Sequence, residues 1–191
     1  MDKKEIRSQI KSLKKRLSVQ ERERASEEIC QRAFDEIKDK HATNVALFLS
    51  LPDEVDTTKL ITLLSQQGKH TLLIPRVEDE TTIRFYRLNL NNDLEVSHYG
   101  ILEPTDDVSA ELVPTIMIVP GVAFDRFGGR IGRGKGYYDR YFAKHKTTIQ
   151  EKIAIGYQLQ VFSDSIPMDL HDEPMDVLIT EKETLRIAPH K

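Results

Sequence analysis

Residues 115–142 read TIMIVPGVAFDRFGGRIGRGKGYYDRYF, and the order of textures within them decides the fold. TIMIVP is a short apolar run closed by Pro120, the pattern of a strand buried on both faces. A glycine-rich loop follows, and YYDRYF opens a helix spanning about 137–146. Strand, glycine loop and helix in that succession make an α/β unit, in which ligands sit beyond the carboxyl ends of the strands.

The same alternation continues on both sides. NVALFLSL (44–51), TLLIP (71–75), KIAIGY (152–157) and DVLIT (176–180) read as further buried strands. TIRFYRL (82–88) is a more exposed strand, and LRIA (185–188) a short terminal one. TTKLITLLSQQ (57–67) is a helix stopped by Gly68, and residues 89–112 carry loop and turn signals. At the N-terminus, Ile6, Ile10, Leu13 and Leu17 make one apolar stripe on a helix spanning 3–17. Lys11, Lys14, Lys15 and Arg16 are expected on its solvated surface. Ser18 and Glu21 form a capping-box pattern that opens a second helix, 19–38, with Ala25, Ile29, Ala33 and Ile37 inward. Together these elements predict a three-layer α/β fold: a mainly parallel, Rossmann-like central sheet, flanking helices and an N-terminal helical arm. No linker-like composition shift divides the chain, so residues 1–191 are read as one domain.

Composition narrows the function classes. The chain has 191 residues, is 39% hydrophobic and 31% charged, and carries a formal net charge of −3, so no global basic excess points to nucleic acid. Cys30 is the one cysteine, which excludes an intrachain disulfide and a cysteine-pair zinc site and suits the reducing cytoplasm. No run approaches the ~18 apolar residues of a membrane helix, and the charged start MDKKEIRSQ lacks the apolar core of a secretory signal. The histidines show no metal-ligand spacing.

Five of the nine glycines fall between Gly128 and Gly136, alternating with Arg130, Arg133 and Lys135. Such a stretch can be a plain surface loop, a nucleic-acid contact or a phosphate cradle. The cradle has the clearest physical basis. A helix N-terminus supplies unpaired N–H groups and a positive dipole end, glycines admit the ligand close to the backbone, and the cations add charge. Gly129, Gly134 and Lys135 satisfy the spacing of a P-loop, but Gly136 stands where that loop needs a serine or threonine for magnesium. The nearest carboxylate to replace it is Asp139.

GRGKGYYDRYF (132–142), with VPGVAFDRFGGRI before it, resembles the 5-formyltetrahydrofolate cyclo-ligases, also called methenyltetrahydrofolate synthetases. FLSLPDEVDT (48–57), LLIPRV (72–77), YGILEP (99–104), AIGYQLQ (154–160) and PMDVLIT (174–180) resemble segments of that family in the same order. The resemblance implies a fold like that of the NagB/RpiA/CoA-transferase group. It also implies a reaction in which ATP and Mg²⁺ drive closure of 5-formyltetrahydrofolate, with or without a polyglutamate tail, to 5,10-methenyltetrahydrofolate. The partners so implied are small molecules; with the charge, apolar runs and single cysteine read above, no nucleic acid and no membrane are expected, and the protein is expected to be a cytoplasmic monomer.

Residue roles follow from the same resemblance. Arg130, Ile131, Gly132, Arg133, Gly134, Lys135, Gly136, Tyr137 and Tyr138 match its ATP-binding loop, and Arg133 to Tyr137 also border the folate. Lys135 and Arg133 match the catalytic cations, with Arg133 serving either the phosphate or the folate's glutamate tail. Lys3, Lys4, Glu5, Ile6 and Arg7 match an N-terminal ATP-binding element in which Lys3 and Arg7 lie one helical turn apart. Leu49 and Glu54 match the pterin contacts, Glu54 accepting the aminopyrimidine donors. Asp139 and Asp176 match the magnesium ligands, with Asp172 and Glu173 close enough in sequence to take the second place.

Overall fold

The structure, a computed structural model, describes residues 1–41, 43–88 and 111–189. Its elements in chain order are α1 (Lys3–Lys14), α2 (Val19–Ile37), β1 (Asn44–Ala46), α3 (Thr58–Gln67), β2 (Thr71–Val77), β3 (Ile83–Arg87), β4 (Ile116–Val119), β5 (Ala123–Asp125), β6 (Arg130–Ile131), α4 (Tyr137–Lys144), β7 (Glu151–Ile155), β8 (Val161–Phe162), β9 (Val177–Ile179) and β10 (Thr184–Arg186). A 3₁₀ turn, Gln158–Gln160, precedes β8.

Seven strands form the central sheet in the order β10-β9-β7-β4-β1-β2-β3. The five inner strands run parallel, and the edge strands β10 and β3 are antiparallel to their neighbours. The mainly parallel sheet expected from the apolar runs is therefore present. Both faces are covered because successive side chains of one strand point to opposite faces. Ile116, Ile118, Ile153, Ile155, Val177 and Ile179 join Ile29, Ala33, Ile37, Leu60 and Leu64 of α2 and α3 in one core. Met117, Val119, Ala154 and Leu178 join Phe85 and the α4 residues Tyr141 and Phe142 in the other. A strand buried on both sides cannot show polar alternation, which is why its sequence reads as an unbroken apolar run.

Local chemistry sets the ends of the helices. The Ser18 hydroxyl accepts from the Glu21 N–H, and the Glu21 carboxylate accepts from the Ser18 N–H, as the capping box predicts. Gly68 stops α3 in a left-handed conformation, with φ of 67°. The first helix is shorter than the expected 3–17 and ends at Lys14.

The stretch 121–136 is not a continuous loop. It contains the β5–β6 hairpin, which pairs with β8 in a second, three-stranded sheet that sequence reading missed. Ile6 and Ile10 of α1 pack onto this small sheet against Ala123, Ile131 and Ile166. Asp125, 2% exposed, holds the hairpin turn. Its Oδ1 accepts from the N–H groups of Phe127 and Gly129, and its Oδ2 from that of Ile166. Gly129 has no room for a side chain, since a Cβ there would stand 2.3 Å from Asp125 Oδ2. Of the five glycines from Gly128 to Gly136, the first two thus serve the turn, and Gly132, Gly134 and Gly136 line the cleft.

The YGILEP segment (99–104) and most of the expected loop 89–112 lie outside the described residues. Of that loop, Glu111 forms an isolated antiparallel bridge with Tyr86, and the Leu112 N–H donates to Phe85 O.

Candidate active site

β1 stands between β4 and β2, so the chain leaves β1 toward one side of the sheet and returns through β4 on the other. That reversal opens a crevice at the carboxyl ends of β1 and β4, the place where parallel sheets bind ligands. A cleft of about 650 Å³ lies there, lined by the segments after both strands. The volume falls within the range of small-molecule sites, ~300–1,000 Å³.

The lining divides in two. Phe48, Leu49 and Leu51 after β1, with Pro75, Val77 and Ile83 of the β2–β3 hairpin, form an apolar wall. The other part holds Lys3 and Arg7 of α1 and Arg130, Arg133 and Lys135 of the glycine stretch, of which Arg133 reaches Glu54 in the segment after β1. The capping box at Asp2 and Glu5 starts α1 so that Lys3 and Arg7 share the face toward the cleft. The Arg7 Nε donates to Gly132 O at 2.8 Å, and the Lys3 ammonium donates to the carboxylates of Asp169 and Asp172. Burial alone would lower the Lys3 pKa, but those two carboxylates outweigh it and raise it.

The glycine stretch is tied down on three sides. Arg130 is buried, and its Nη1 and Nη2 donate to Pro120 O at 3.1 Å and Asp139 Oδ2 at 3.0 Å. Burial pushes its pKa down, with Asp139 opposing. Arg130 therefore acts as a strut joining the end of β4 to the first turn of α4. Arg133 Nη2 donates to Asp53 Oδ1 at 2.8 Å, and its Nε and Nη2 reach Glu54 Oε1 at 3.3 and 3.2 Å. Burial would lower the Arg133 pKa, yet the two acids raise it. Arg140, which sequence reading did not single out, donates to Thr81 O and Lys135 O, both at 2.7 Å. Its guanidinium lies 5.6 Å from the centre of the Tyr137 ring, whose hydroxyl donates to Asp79 O. Lys135 is exposed on the cleft, and among the described residues its ammonium makes no ion pair.

Gly136 caps α4 with φ of 69°, a conformation that L side chains rarely adopt. The turn it makes leaves the first N–H groups of α4 without partners in the helix. Tyr137, Tyr138 and Asp139 line the cleft there. Tyr138 also packs between Phe85 and Phe142, and burial pushes its hydroxyl pKa up.

Most of the predicted site residues converge on this cleft: Lys3, Arg7, Leu49, Glu54, the run Arg130 to Tyr138, and Asp139. Four do not line it. Lys4 and Glu5 point to solvent, Ile6 is buried against the small sheet, and Asp176 lies at the opposite end of the strands. The Asp176 Oδ2 accepts from the Lys152 N–H at 2.7 Å, at the amino end of β9. Of the two alternatives to it, Asp172 lines the cleft, whereas the Glu173 carboxylate turns to Lys146. Lys14 also departs from expectation. It is buried, 4% exposed, and its ammonium lies 3.7 Å from Asp53 Oδ2. Cys30 is a buried thiol bonded to Asp56 O, with a pKa pushed up to about 11 by burial, so it stays protonated at neutral pH.

The fit to a divalent cation is that of a shared site. Among the described residues, no three histidine, cysteine or acidic side chains converge into a metal cage. Asp139 accepts the Glu173 N–H at Oδ1 and Arg130 at Oδ2, and each oxygen retains a second acceptor position. One or two carboxylates beside a phosphate site suit Mg²⁺, which keeps waters and takes phosphate oxygens.

A mainly parallel sheet with a cleft at its switch point defines an α/β protein with a small-molecule site. The model of the "5-formyltetrahydrofolate cyclo-ligase family" matches residues 1–181, and the chain belongs to that family. It is 30% identical to the 5-formyltetrahydrofolate cyclo-ligase of Mus musculus over 188 residues, 92% of each chain. It is 29% identical to the enzyme of that name from Haemophilus influenzae, over 92% of this chain and 96% of the other. The NMR structure of the Aquifex aeolicus 5,10-methenyltetrahydrofolate synthetase superposes with a TM-score of 0.80 at 34% identity, covering all of this chain and 95% of that one.

Proposed function

We propose that this protein uses ATP to convert 5-formyltetrahydrofolate to 5,10-methenyltetrahydrofolate, releasing ADP and phosphate. The observation that carries the reading is one cleft with two unlike walls at the switch point. The apolar wall suits a flat heteroaromatic ring, and the cationic glycine stretch suits phosphates. Family membership supplies the substrate class.

The reaction needs a phosphate donor because a formamide carbonyl is a weak electrophile and its oxygen a poor leaving group. Transfer of the terminal phosphoryl group to that oxygen makes an iminium-like phosphate. Nitrogen 10 of the folate attacks the activated carbon, the ring closes and phosphate departs. The protein's tasks are then positioning and charge neutralisation, with no protein nucleophile. Lys135 and Arg7, with the N–H groups at the start of α4, hold the phosphates. Lys3 stands at the same rim, oriented by Asp169 and Asp172. Glu54 accepts the pterin's donor edge, Leu49 and the apolar wall pack on its rings, and Tyr137 flanks it. Mg²⁺ held by Asp139, with Asp172 as the second carboxylate within the cleft, would neutralise phosphate charge.

The cleft is lined by described residues of one chain, and we read the protein as a monomer and the chain as one domain. The commitment of Lys3, Arg130 and Arg133 to carboxylates argues against a nucleic-acid partner. The single cysteine favours a cytoplasmic setting. Incubation with 5-formyltetrahydrofolate, Mg²⁺ and ATP should generate the methenyl chromophore, and omission of ATP should abolish it. Folded protein that binds ATP yet forms no chromophore would overturn the reading.

A further inference from the structure

Two carboxylates share the Arg133 guanidinium, and they hold it differently. The contact with Asp53 Oδ1, 2.8 Å, is a normal charge-assisted hydrogen bond. The contacts with Glu54 Oε1, 3.3 and 3.2 Å, are at the long end of the range. Behind Asp53 stands the buried Lys14 ammonium, 3.7 Å from its second oxygen. Burial lowers the Lys14 pKa, with Asp53 opposing. Burial of Asp53 would raise its own pKa, but Arg133 and Lys14 outweigh that and hold it below the usual range. Lys14, Asp53, Arg133 and Glu54 therefore form a row of alternating charge. It joins α1, the segment after β1 and the glycine stretch.

We propose that Asp53, backed by Lys14, is a positioning residue for folate binding: it gives Arg133 a second acceptor, so that Glu54 can exchange the guanidinium for the donor edge of the pterin. The proposal rests on the reading of Glu54 given above. Glu54 Oε1 takes both Arg133 contacts and its Oε2 accepts the Leu51 N–H at 2.9 Å, so the carboxylate is held in place and each oxygen keeps an acceptor position for one of the two parallel N–H groups of an aminopyrimidine. The exchange gives up two long contacts while Arg133 keeps the short one to Asp53. Without Asp53, the guanidinium has Glu54 alone, and the pterin must displace it from its last carboxylate. Tied to Asp53 beside Glu54, Arg133 is held apart from the other cations of the cleft, and the phosphates are left to Lys3, Arg7 and Lys135. Loss of Asp53 is therefore felt by folate and not by ATP.

Equilibrium binding of 5-formyltetrahydrofolate without ATP, with KM values for both substrates, tests this. Asp53→Asn is expected to weaken folate binding about fivefold, the scale of a half-exposed ion pair, and to leave the KM for ATP unchanged. Asp53→Glu restores folate binding, and Asp53→Asn has no further effect in an Arg133→Ala background. Wild-type folate affinity in Asp53→Asn would overturn the proposal, as would a loss that persists without Arg133 or falls equally on ATP. Glu54→Gln separates the two levels. If it too leaves folate affinity unchanged, the reading of the pterin subsite fails. If it weakens binding while Asp53→Asn does not, only the role of Asp53 fails.

Discussion

In the proposed reaction Lys135 stabilises phosphoryl charge, and the fold makes little use of its side chain. It is exposed on the cleft, and its carbonyl, not its ammonium, carries the contact to Arg140. Lys135→Ala should leave thermal unfolding unchanged and cut kcat by about a hundredfold or more, the scale of losing one group that stabilises transition-state charge. A variant that loses stability along with activity would assign the ammonium a structural role. At this scale the order of strand, glycine loop and helix pointed to Arg130 to Asp139 as cleft residues, whereas the places of Lys3, Arg7, Leu49 and Glu54 came only with the family resemblance. Lys14 was not, although Ile6, Ile10 and Lys14 are spaced by fours and share a helical face. A charged residue type suggested solvent, yet its partner Asp53 arrives from the segment after β1, which no local pattern reveals. Asp176 fails for the reverse reason. Its place beside β9 resembles the family pattern in sequence, but the strand carries it to the amino end of the sheet, away from the cleft.

The β5–β6 hairpin decides how the cationic stretch is presented. Its strands have three and two residues, too short for any periodicity to show, so the small sheet could not be read from pattern. FDRFGG did contain a signal: an aspartate ahead of a glycine pair, able to accept backbone N–H groups across a turn. Gly129→Ala would press a methyl group against the Asp125 carboxylate and should cost about 2 kcal/mol. In a chain of this size that lowers the melting temperature by about 4–8 °C. An unchanged melting temperature would mean that the turn relaxes without loss. The longer elements were legible because their burial is regular. The apolar stripes of α2 and α3 and the unbroken runs of β4 and β7 each encode the faces they cover.

For the molecule as a whole, the parallel sheet was legible from alternating apolar runs and helices, whereas the strand order was not. The switch point arises from β4 returning beside β1, a pairing between residues 45–46 and 116–117 that no local sequence encodes. Stability against acid is also a property of the whole chain. Both ring nitrogens of His70 are buried, and burial, with Lys69 beside it, lowers its pKa, the backbone of Ile37 and Thr43 only partly opposing. The folded state then binds fewer protons there than the unfolded chain. His70 costs nothing above its unfolded pKa of about 6.5 and destabilises increasingly as pH falls below it. His70→Leu should flatten that part of the stability–pH curve in chemical denaturation, and an unaltered slope would place the charge elsewhere. The proposed reaction turns on where the phosphoryl group goes. The most direct measurement is single-turnover conversion of 5-formyltetrahydrofolate carrying an isotopically labelled formyl oxygen, followed by mass analysis of the released phosphate. Transfer to the formyl oxygen predicts that the label appears in phosphate, whereas label released into water alone would contradict the account.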